Sequence, residues 1–270
     1  MTFCRWVRPA VFAIMLPAYA TAAFAQGAPA PSTFEPQVGQ AGKDVVWVPT
    51  PQALVETILN LAEVTPEDFL IDLGSGDGRT VISAAKRGLR AQGIEYNPDM
   101  VELARRNAAA EGLSERATFS NGDLFEADFS DAQVITMFLL PEINMKLRPT
   151  LLSMAPGTRV VSNSFLMEDW RPDQTERNPE CTSWCTAHLW IVPARVAGTW
   201  DLPQGALTLR QEFQMISGLL GHSPIRDGRL RGEEITFTVG IAVFNGRVQG
   251  NTMSGTLTGG VGGVFSGTKR

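Results

Sequence analysis

Apolar runs and helically spaced apolar positions alternate through the middle of the chain. Strands are predicted where apolar residues are continuous, over 69–72, 91–96, 117–119, 133–140 and 158–164. Helices are predicted where apolar residues recur every three or four positions, over 52–64, 80–87, 100–110 and 141–152. The fourth of these strands is almost wholly apolar, as expected of a central strand covered on both faces. Because strands separated by such helices run in one direction, we predict an α/β fold with a doubly wound, mostly parallel sheet over residues 44–197.

The pattern changes towards the end of the predicted sheet. Residues 167–179 have no period, and residues 186–196 predict one or two edge strands. From residue 198 onward the chain holds 15 of its 26 glycines, and apolar positions alternate with polar ones. Such alternation is typical of half-buried strands, so we predict a small antiparallel β-meander or barrel over 198–270, with a disordered glycine-rich tail as the alternative. Hairpin turns are predicted at Asp227-Gly228 and Asn245-Gly246.

The first 25 residues have the pattern of a secretory signal peptide. Arg5 and Arg8 give a positive start, an apolar run follows over 9–20, and Ala23-Phe24-Ala25 offers small residues for cleavage after Ala25. The apolar run is too short for a stable membrane span. We therefore expect an exported, periplasmic protein that has no membrane span after cleavage, with a membrane anchor through an uncleaved N-terminal segment as the alternative. Residues 26–43 are rich in alanine, proline and glycine and predict a linker.

Removal of this signal changes the charge and the cysteine count of the chain. The full chain carries 23 basic and 28 acidic residues, and the mature chain would carry 21 and 28, a net charge of −7. Such a balance argues against nonspecific binding to nucleic acid. Two cysteines remain, Cys181 and Cys185, an even number that is compatible with one disulfide. Free thiols are an alternative. So is a metal site that includes His188, but the sequence offers no evident fourth ligand, and no metal is expected.

The candidate chemistry begins where the first predicted strand ends. Asp72 closes that strand, and glycines follow at every second position, at Gly74, Gly76 and Gly78, before a helix begins. A phosphate-binding P-loop would need Gly-Lys-Ser/Thr here, and a dinucleotide fingerprint would need its third glycine one position later. A carboxylate just before the turn would repel a pyrophosphate and attract a cation. The turn therefore predicts a ligand that approaches the backbone closely, carries positive charge and has no phosphate.

S-adenosylmethionine meets these requirements, because it carries a sulfonium and an ammonium group and lacks phosphate. Two further acids follow the second and third predicted strands. Glu95 is placed to accept hydrogen bonds from both ribose hydroxyls. Asp123 is placed to accept from the adenine amino group, with Leu124 or Phe125 against the ring. Because carboxyl ends of parallel strands meet at one edge of the sheet, we expect these acids to lie around one site.

These residues carry a resemblance. The first motif, Asp72 to Arg79, resembles motif I of the Rossmann-like, class I S-adenosylmethionine-dependent methyltransferases. With the segments that follow, the chain resembles the archaeal and mitochondrial protein-lysine methyltransferases related to the ATP-synthase c-subunit lysine methyltransferase. Those segments are Val48–Pro51, Gly93–Pro98, Asp123–Phe125, Val134–Leu140 and Pro156–Ser162. The resemblance covers about residues 44–195 and implies the fold and the cofactor. The export signal and the C-terminal extension depart from it.

Predicted cofactor-binding residues are Asp72, Gly74, Ser75, Gly76, Asp77, Gly78, Glu95, Tyr96, Asp123, Leu124 and Phe138. Candidate residues for binding the methyl acceptor are Trp47, Thr50, Leu140, Glu142 and Asn163. The expected activity is in-line methyl transfer to nitrogen, on protein lysine or another amine, and no catalytic residue is assigned because a neutral amine needs no general base. The alternatives are an exported, non-catalytic binding protein with the same fold and a nicotinamide oxidoreductase.

Overall fold

A computed structural model describes residues 1–4, 34–260 and 262–270 of the chain. The predicted signal peptide, apart from its first four residues, and its cleavage site after Ala25 lie outside the described residues. The chain divides into Met1–Thr33 and a compact unit that spans Phe34–Arg270, and the description below concerns that second unit. Within the described residues, no helix combines the length and the apolar character needed to cross a membrane.

The first part of this unit alternates helices and strands. Its helices are α1 (Gln52–Leu61), α2 (Arg79–Lys86), α3 (Pro98–Ala110) and α4 (Pro141–Leu151). Its strands are β1 (Phe69–Leu73), β2 (Arg90–Glu95), β3 (Ala117–Asn121), β4 (Val134–Met137), β5 (Arg159–Asn163), β6 (Gln174–Arg177) and β7 (Thr186–Ile191). The predicted helices and strands are all present. The Asn97 side chain caps α3 by accepting from the Asp99 N–H at 2.9 Å, and Pro98 occupies the first turn, where its missing N–H is tolerated.

The seven strands form one sheet in the order β3-β2-β1-β4-β5-β7-β6. All neighbouring pairs from β3 to β5 are parallel, and β7 runs antiparallel to both β5 and β6. The strand order reverses between β1 and β4, which is where ligands bind in doubly wound sheets. The predicted mostly parallel, doubly wound sheet is confirmed.

Apolar side chains cover both faces of this sheet. Leu70 and Val134 belong to the buried cluster that includes residues of α1, α2 and α3. Their chain neighbours Ile71 and Ile135 belong to the cluster that includes residues of α4. Successive residues of a strand point to opposite faces, so a strand buried on both sides must be apolar at successive positions. This requirement explains the continuous apolar run that predicted β4, all four of whose residues are buried.

One edge strand gave no signal in the sequence. β6 (Gln174–Arg177) lies in the stretch 167–179 that shows no period, and all four of its side chains are exposed. β6 pairs with β7 along one edge and buries none of its side chains in a core, so it has no apolar pattern to detect.

The second part of the unit is a closed eight-stranded antiparallel barrel. Its strands are β8 (Gly198–Leu202), β9 (Gly205–Glu212), β10 (Met215–Leu220), β11 (Ser223–Arg231), β12 (Glu234–Val239), β13 (Ala242–Gln249), β14 (Thr252–Thr258) and β15 (Gly263–Lys269). Each strand pairs with the next, and β15 closes the barrel by pairing with β8. Its interior is filled by buried apolar side chains that include Trp200, Phe237 and Phe244. The predicted antiparallel β module is confirmed, and the alternative of a disordered tail is wrong.

The two predicted hairpin turns of the barrel are wrong. Asp227-Gly228 lies inside β11 at a register shift, and Asn245-Gly246 lies inside β13. Side chains at these glycines would collide with neighbours, because a Cβ on Gly228 would lie 2.3 Å from the Ile216 carbonyl oxygen and one on Gly246 would lie 2.6 Å from the Phe265 ring. These glycines therefore serve a bulge and close packing in the strands, which the dipeptide pattern does not distinguish from a turn.

The barrel is joined to the sheet by packing as well as by the chain. The Phe213 ring stacks on Trp170, with ring centroids 6.0 Å apart. The Ala194 N–H donates to the Gly232 carbonyl at 2.8 Å, and the Gln214 side-chain amide donates to the Arg171 carbonyl at 2.7 Å. These contacts hold the turns at one end of the barrel against the segment before β6 and the segment after β7.

Candidate active site

The turn between β1 and α2 depends on glycine at three positions. Gly74, Gly76 and Gly78 have φ angles of +77°, +53° and +83°, in the left-handed region that favours glycine. The N–H groups of Gly74 and Ser75 donate to the Ile94 carbonyl at 2.9 Å and 3.1 Å, which ties the turn to β2. The turn therefore lies across the carboxyl ends of both strands with its backbone open to a ligand.

A cavity of about 530 Å³ lies at this edge of the sheet. Of the predicted cofactor-binding residues, those that line it are Asp72, Gly74, Ser75, Gly76, Asp77, Glu95, Tyr96, Asp123, Leu124 and Phe138. Of the candidate acceptor-binding residues, those that line it are Trp47, Thr50 and Leu140. Three predicted residues do not line it: Gly78, Glu142 and Asn163.

Each of these three residues has another role or position. A Cβ on Gly78 would lie 2.6 Å from the Phe119 ring, so this glycine allows α2 to approach β3. Glu142 is exposed in the first turn of α4, where an acid is favourable to the helix dipole. Asn163 is buried, and its amide donates to the Thr50 Oγ1 at 3.2 Å while its carbonyl accepts from the Ser164 Oγ at 2.8 Å.

The buried carboxyl group of Asp72 is the centre of the electrostatics. It accepts a hydrogen bond from the Thr136 Oγ1 at 2.6 Å and is 7% exposed. Burial raises the pKa of Asp72 to about 7, and the negative charges of Glu95 and Asp77 contribute to the rise. The ionised form of this carboxyl group would be stabilised by a cation in the cavity, so the site fits a positively charged ligand.

Glu95 is held in place by the backbone. Its two carboxylate oxygens accept from the N–H groups of Gly76 and Asn97, each at 2.9 Å. A carboxylate has about four lone-pair sites, so acceptor capacity remains for two hydroxyl groups. This geometry is suited to the ribose-binding role that the sequence predicts for Glu95.

Asp123 has a partner that the sequence did not indicate. Its carboxylate forms an ion pair with Lys43, and this contact lowers the pKa of Asp123. The Lys43 ammonium also lies 4.8 Å from the centre of the Tyr96 ring, within the range of a cation–π interaction. In the role predicted for it, the Asp123 carboxylate would accept hydrogen bonds from both Lys43 and the adenine amino group.

Lys43 belongs to a hairpin that covers the cavity. The Trp47 carbonyl accepts from the Gly39 N–H at 2.8 Å, and the Trp47 N–H donates to the Gln40 carbonyl at 2.9 Å. Every residue from Gln40 to Thr50 lines the cavity. The boundary predicted between the linker and the methyltransferase domain, at residue 43, falls inside this hairpin, because an alanine- and glycine-rich turn has the composition of a linker.

Two aromatic residues complete the cavity wall without having been predicted. Phe165 follows β5, and Trp184 lies in the loop before β7, and both line the cavity. Trp184 is flanked by Cys181 and Cys185, which form a disulfide. The disulfide removes both sulfurs as metal ligands. The pKa of the neighbouring His188 is lowered by burial, and among residues 1–4, 34–260 and 262–270 no cluster of metal-ligating side chains is found.

The residues around the cavity fit S-adenosylmethionine. The Ser75 hydroxyl is buried and has no hydrogen-bond partner within the described part of the chain, so it is available to a ligand. The glycine turn admits a ligand against the backbone, the buried Asp72 carboxyl group suits a cation, and Glu95 retains acceptor capacity. Asp72, Ser75, Gly76 and Glu95 are thus the residues that would hold this cofactor.

Comparison with known proteins agrees with this site. The sequence model of the ANTKMT methyltransferase domain matches residues 72–174. A protein-lysine N-methyltransferase from Saccharolobus islandicus is 38% identical over 151 residues, which cover 55% of this chain and 94% of that protein. The ATP-synthase c-subunit lysine N-methyltransferase of Rattus norvegicus is 34% identical over 139 residues, 51% of this chain and 64% of the rat protein. This chain therefore spans nearly all of the archaeal relative and about two thirds of the rat one.

A solved structure extends the comparison to the bound cofactor product. The structure of an RNA methyltransferase from Salinibacter ruber in complex with S-adenosyl-L-homocysteine is 48% identical, with a TM-score of 0.52. It covers 55% of this chain, and this chain covers 96% of it. These comparisons give no support to the alternative of a non-catalytic binding protein. The chain is an S-adenosylmethionine-dependent methyltransferase of the Rossmann-like class I fold, and it belongs to the family of the archaeal and mitochondrial protein-lysine methyltransferases.

Proposed function

We propose that the protein methylates an amine nitrogen, with the side chain of protein lysine as the acceptor. S-adenosylmethionine, when bound, supplies an electrophilic methyl group that the lone pair of a neutral amine takes, leaving S-adenosylhomocysteine. The protein's contribution is to hold the amine in line and to exclude water. The buried Asp72 and the backbone-held Glu95 would hold the cofactor. The apolar residues after β4 line the part of the cavity where the amine would enter.

The charge of the cavity is the observation that carries this proposal. Its lining includes five acids, namely Asp44, Asp72, Asp77, Glu95 and Asp123, and two cations, Lys43 and Arg79. Both cations are already paired, Lys43 with Asp123 and Arg79 with Asp77. An acidic cavity attracts an ammonium group and repels phosphate. Amine acceptors are therefore favoured over nucleic acid.

RNA is the second candidate acceptor, because the Salinibacter ruber protein is described as an RNA methyltransferase. A protein that binds RNA needs basic side chains to contact the phosphates. The full chain instead carries a net charge of −5. The two acceptors make opposite predictions for one labelling experiment.

The purified protein should be incubated with methyl-labelled S-adenosylmethionine and, in parallel, with an envelope protein extract, the same extract after lysine acetylation, and total RNA. We expect label in the first sample only, and we expect acid hydrolysis of the labelled protein to release methylated lysine. A Glu95→Gln variant, which weakens the hydrogen bonds to the cofactor, should label less at limiting cofactor.

Several results would contradict the lysine proposal. Label in RNA would identify the second candidate as the acceptor. Label that survives lysine acetylation, or that is lost in mild alkali as a methyl ester would be, would place the methyl group on another side chain. If the enzyme binds S-adenosylhomocysteine but none of the three samples becomes labelled, both protein lysine and RNA are rejected as acceptors.

Export to the periplasm is a second part of the proposal. It rests on the basic start, the apolar run and the small residues before position 26, and the disulfide Cys181–Cys185 supports it because disulfides persist in oxidising compartments. Mass spectrometry of the native protein tests it: cleavage after Ala25 leaves Gln26 as the first residue, whereas an intact N-terminus in the membrane fraction would indicate an anchor. An exported enzyme also needs S-adenosylmethionine outside the cytosol.

A further inference from the structure

Three aromatic side chains from separate segments meet at the cavity. Phe138 follows β4, Phe165 follows β5, and Trp184 precedes β7. Their ring centroids lie 6.0 Å (Phe138 to Phe165), 5.6 Å (Phe138 to Trp184) and 5.5 Å (Phe165 to Trp184) apart, and all three line the cavity. We call these three side chains the aromatic cluster. Trp184 is 44% exposed, so the cluster reaches from the cavity to the protein surface.

Aromatic faces at the mouth of an acidic cavity suit one class of group. The face of an aromatic ring attracts an alkylammonium group, and its apolar surface packs along an alkyl chain. A lysine side chain carries both of these parts. The acids that line the cavity give it a negative potential, which would attract the same charged group towards its mouth.

The position of Trp184 depends on the disulfide. Trp184 directly precedes Cys185 and adopts a φ of +55°, a left-handed conformation that is unfavourable for residues other than glycine. The bond between Cys181 and Cys185 closes a short ring that contains Trp184. A backbone hydrogen bond closes the loop, because the Asn178 N–H donates to the Cys185 carbonyl at 2.9 Å. Cys185 is buried, so the ring is fixed at one end and Trp184 projects from it.

We propose that the Cys181–Cys185 disulfide positions Trp184 as one wall of the entrance for the lysine acceptor, so that the acceptor site is complete only in the oxidised protein. This inference rests on the proposed lysine activity and adds the residues that select the acceptor. Trp184 contacts the acceptor, and the two cysteines act through Trp184 as positioning residues. An enzyme built in this way assembles its acceptor site in the oxidising compartment to which we propose it is exported.

Reduction provides the first comparison. Dithiothreitol attacks the protein disulfide, the S–S bond breaks, two electrons pass to the protein sulfurs to give two thiols, and the reagent closes into a cyclic disulfide. Binding of the peptide hexalysine to the S-adenosylhomocysteine complex should then be measured by calorimetry for the oxidised and the reduced protein. We expect reduction to weaken hexalysine binding by about tenfold and to leave the affinity for S-adenosylhomocysteine unchanged.

Variants provide the second comparison. Trp184→Ala should weaken hexalysine binding by about tenfold in the oxidised protein, and Trp184→Phe should restore most of it, because a ring face remains. Ser183→Ala is the matched control, since it changes an exposed side chain of the same loop outside the aromatic cluster. In transfer assays the Trp184→Ala variant should raise KM for hexalysine with little change in kcat, which a general loss of folding would not produce.

Each outcome bears on a different part of the inference. Equal hexalysine affinity in wild type and Trp184→Ala would overturn the role of Trp184. A weakened Trp184→Ala variant together with equal affinity in the oxidised and reduced proteins would overturn the role of the disulfide. Failure of the oxidised wild type to bind hexalysine while it binds S-adenosylhomocysteine would overturn this inference and the lysine proposal together.

Discussion

Replacing Asp72 by asparagine should make the ligand-free protein more stable at alkaline pH. The pKa of this carboxyl group is raised from 3.8 in the unfolded chain to about 7 in the folded protein, mainly by burial. Between these two values the folded state binds a proton that the unfolded state has lost, so the stability of the wild type falls as the pH rises from about 4 to about 7. The fall is complete above the folded pKa.

The size of the effect follows from the shift. A rise of about three pKa units at about 1.36 kcal/mol per unit corresponds to roughly 4 kcal/mol, of which roughly 3 kcal/mol falls between about pH 5 and pH 8.5. Asparagine has nearly the same shape, carries no charge and can accept the hydrogen bond from the Thr136 Oγ1 that Asp72 now accepts. The variant should therefore escape the fall in stability.

Urea unfolding of the ligand-free wild type and the Asp72→Asn variant at about pH 5 and pH 8.5 measures this difference. We expect the free energy of unfolding of the variant, relative to wild type, to increase by roughly 3 kcal/mol between the two pH values. The same variant should lose affinity for S-adenosylmethionine, because it cannot provide a negative charge to this cationic cofactor. A stability difference that is the same at both pH values would refute the raised pKa and the electrostatic argument built on it.

Two further predictions concern packing. Gly78→Ala should lower the free energy of unfolding by about 3 kcal/mol or more, because its Cβ would meet Phe119 at 2.6 Å. Gly112 is the control: its φ is +70° and nothing lies within 4 Å of a Cβ there, so Gly112→Ala should cost only about 1 kcal/mol in the same urea titration. Equal losses in the two variants would contradict the close approach of Gly78 to Phe119. Phe213→Ala removes a partly buried ring that stacks on Trp170 and should weaken the packing of the barrel against the sheet by about 1 kcal/mol. Limited proteolysis should then cleave faster between the sheet and the barrel. An unchanged cleavage rate would show that this stacking does not hold the two parts together.

The parts of the fold that follow local rules could be predicted from the sequence. The glycines of the β1–α2 turn need left-handed angles, and the acids Asp72, Glu95 and Asp123 come at the ends of successive strands. Strand direction then brings those ends to one edge. For this reason a pattern of single residues was sufficient to place most of the cofactor cavity.

The remaining features depend on contacts between distant parts of the chain. The ion pair of Lys43 with Asp123 joins residues 80 positions apart, and no local pattern marks it. Phe165 and Trp184 lie in loops whose places are set by the sheet. The Asn245-Gly246 pair shows the opposite failure, since a strong local turn signal yields to the packing of Phe265 inside the barrel.

The closure of the barrel by its first and last strands constrains the order in which the chain folds. β8 is paired on one side with β9, and its other edge is completed only by β15, where Lys269 lies opposite Trp200 and the Arg270 N–H donates to the Thr199 carbonyl. During synthesis the sheet of the methyltransferase domain can form before the barrel does. Until β15 is available, β8 is an open edge that can pair with another chain. Chains that stop short of β15 are therefore the ones most exposed to aggregation.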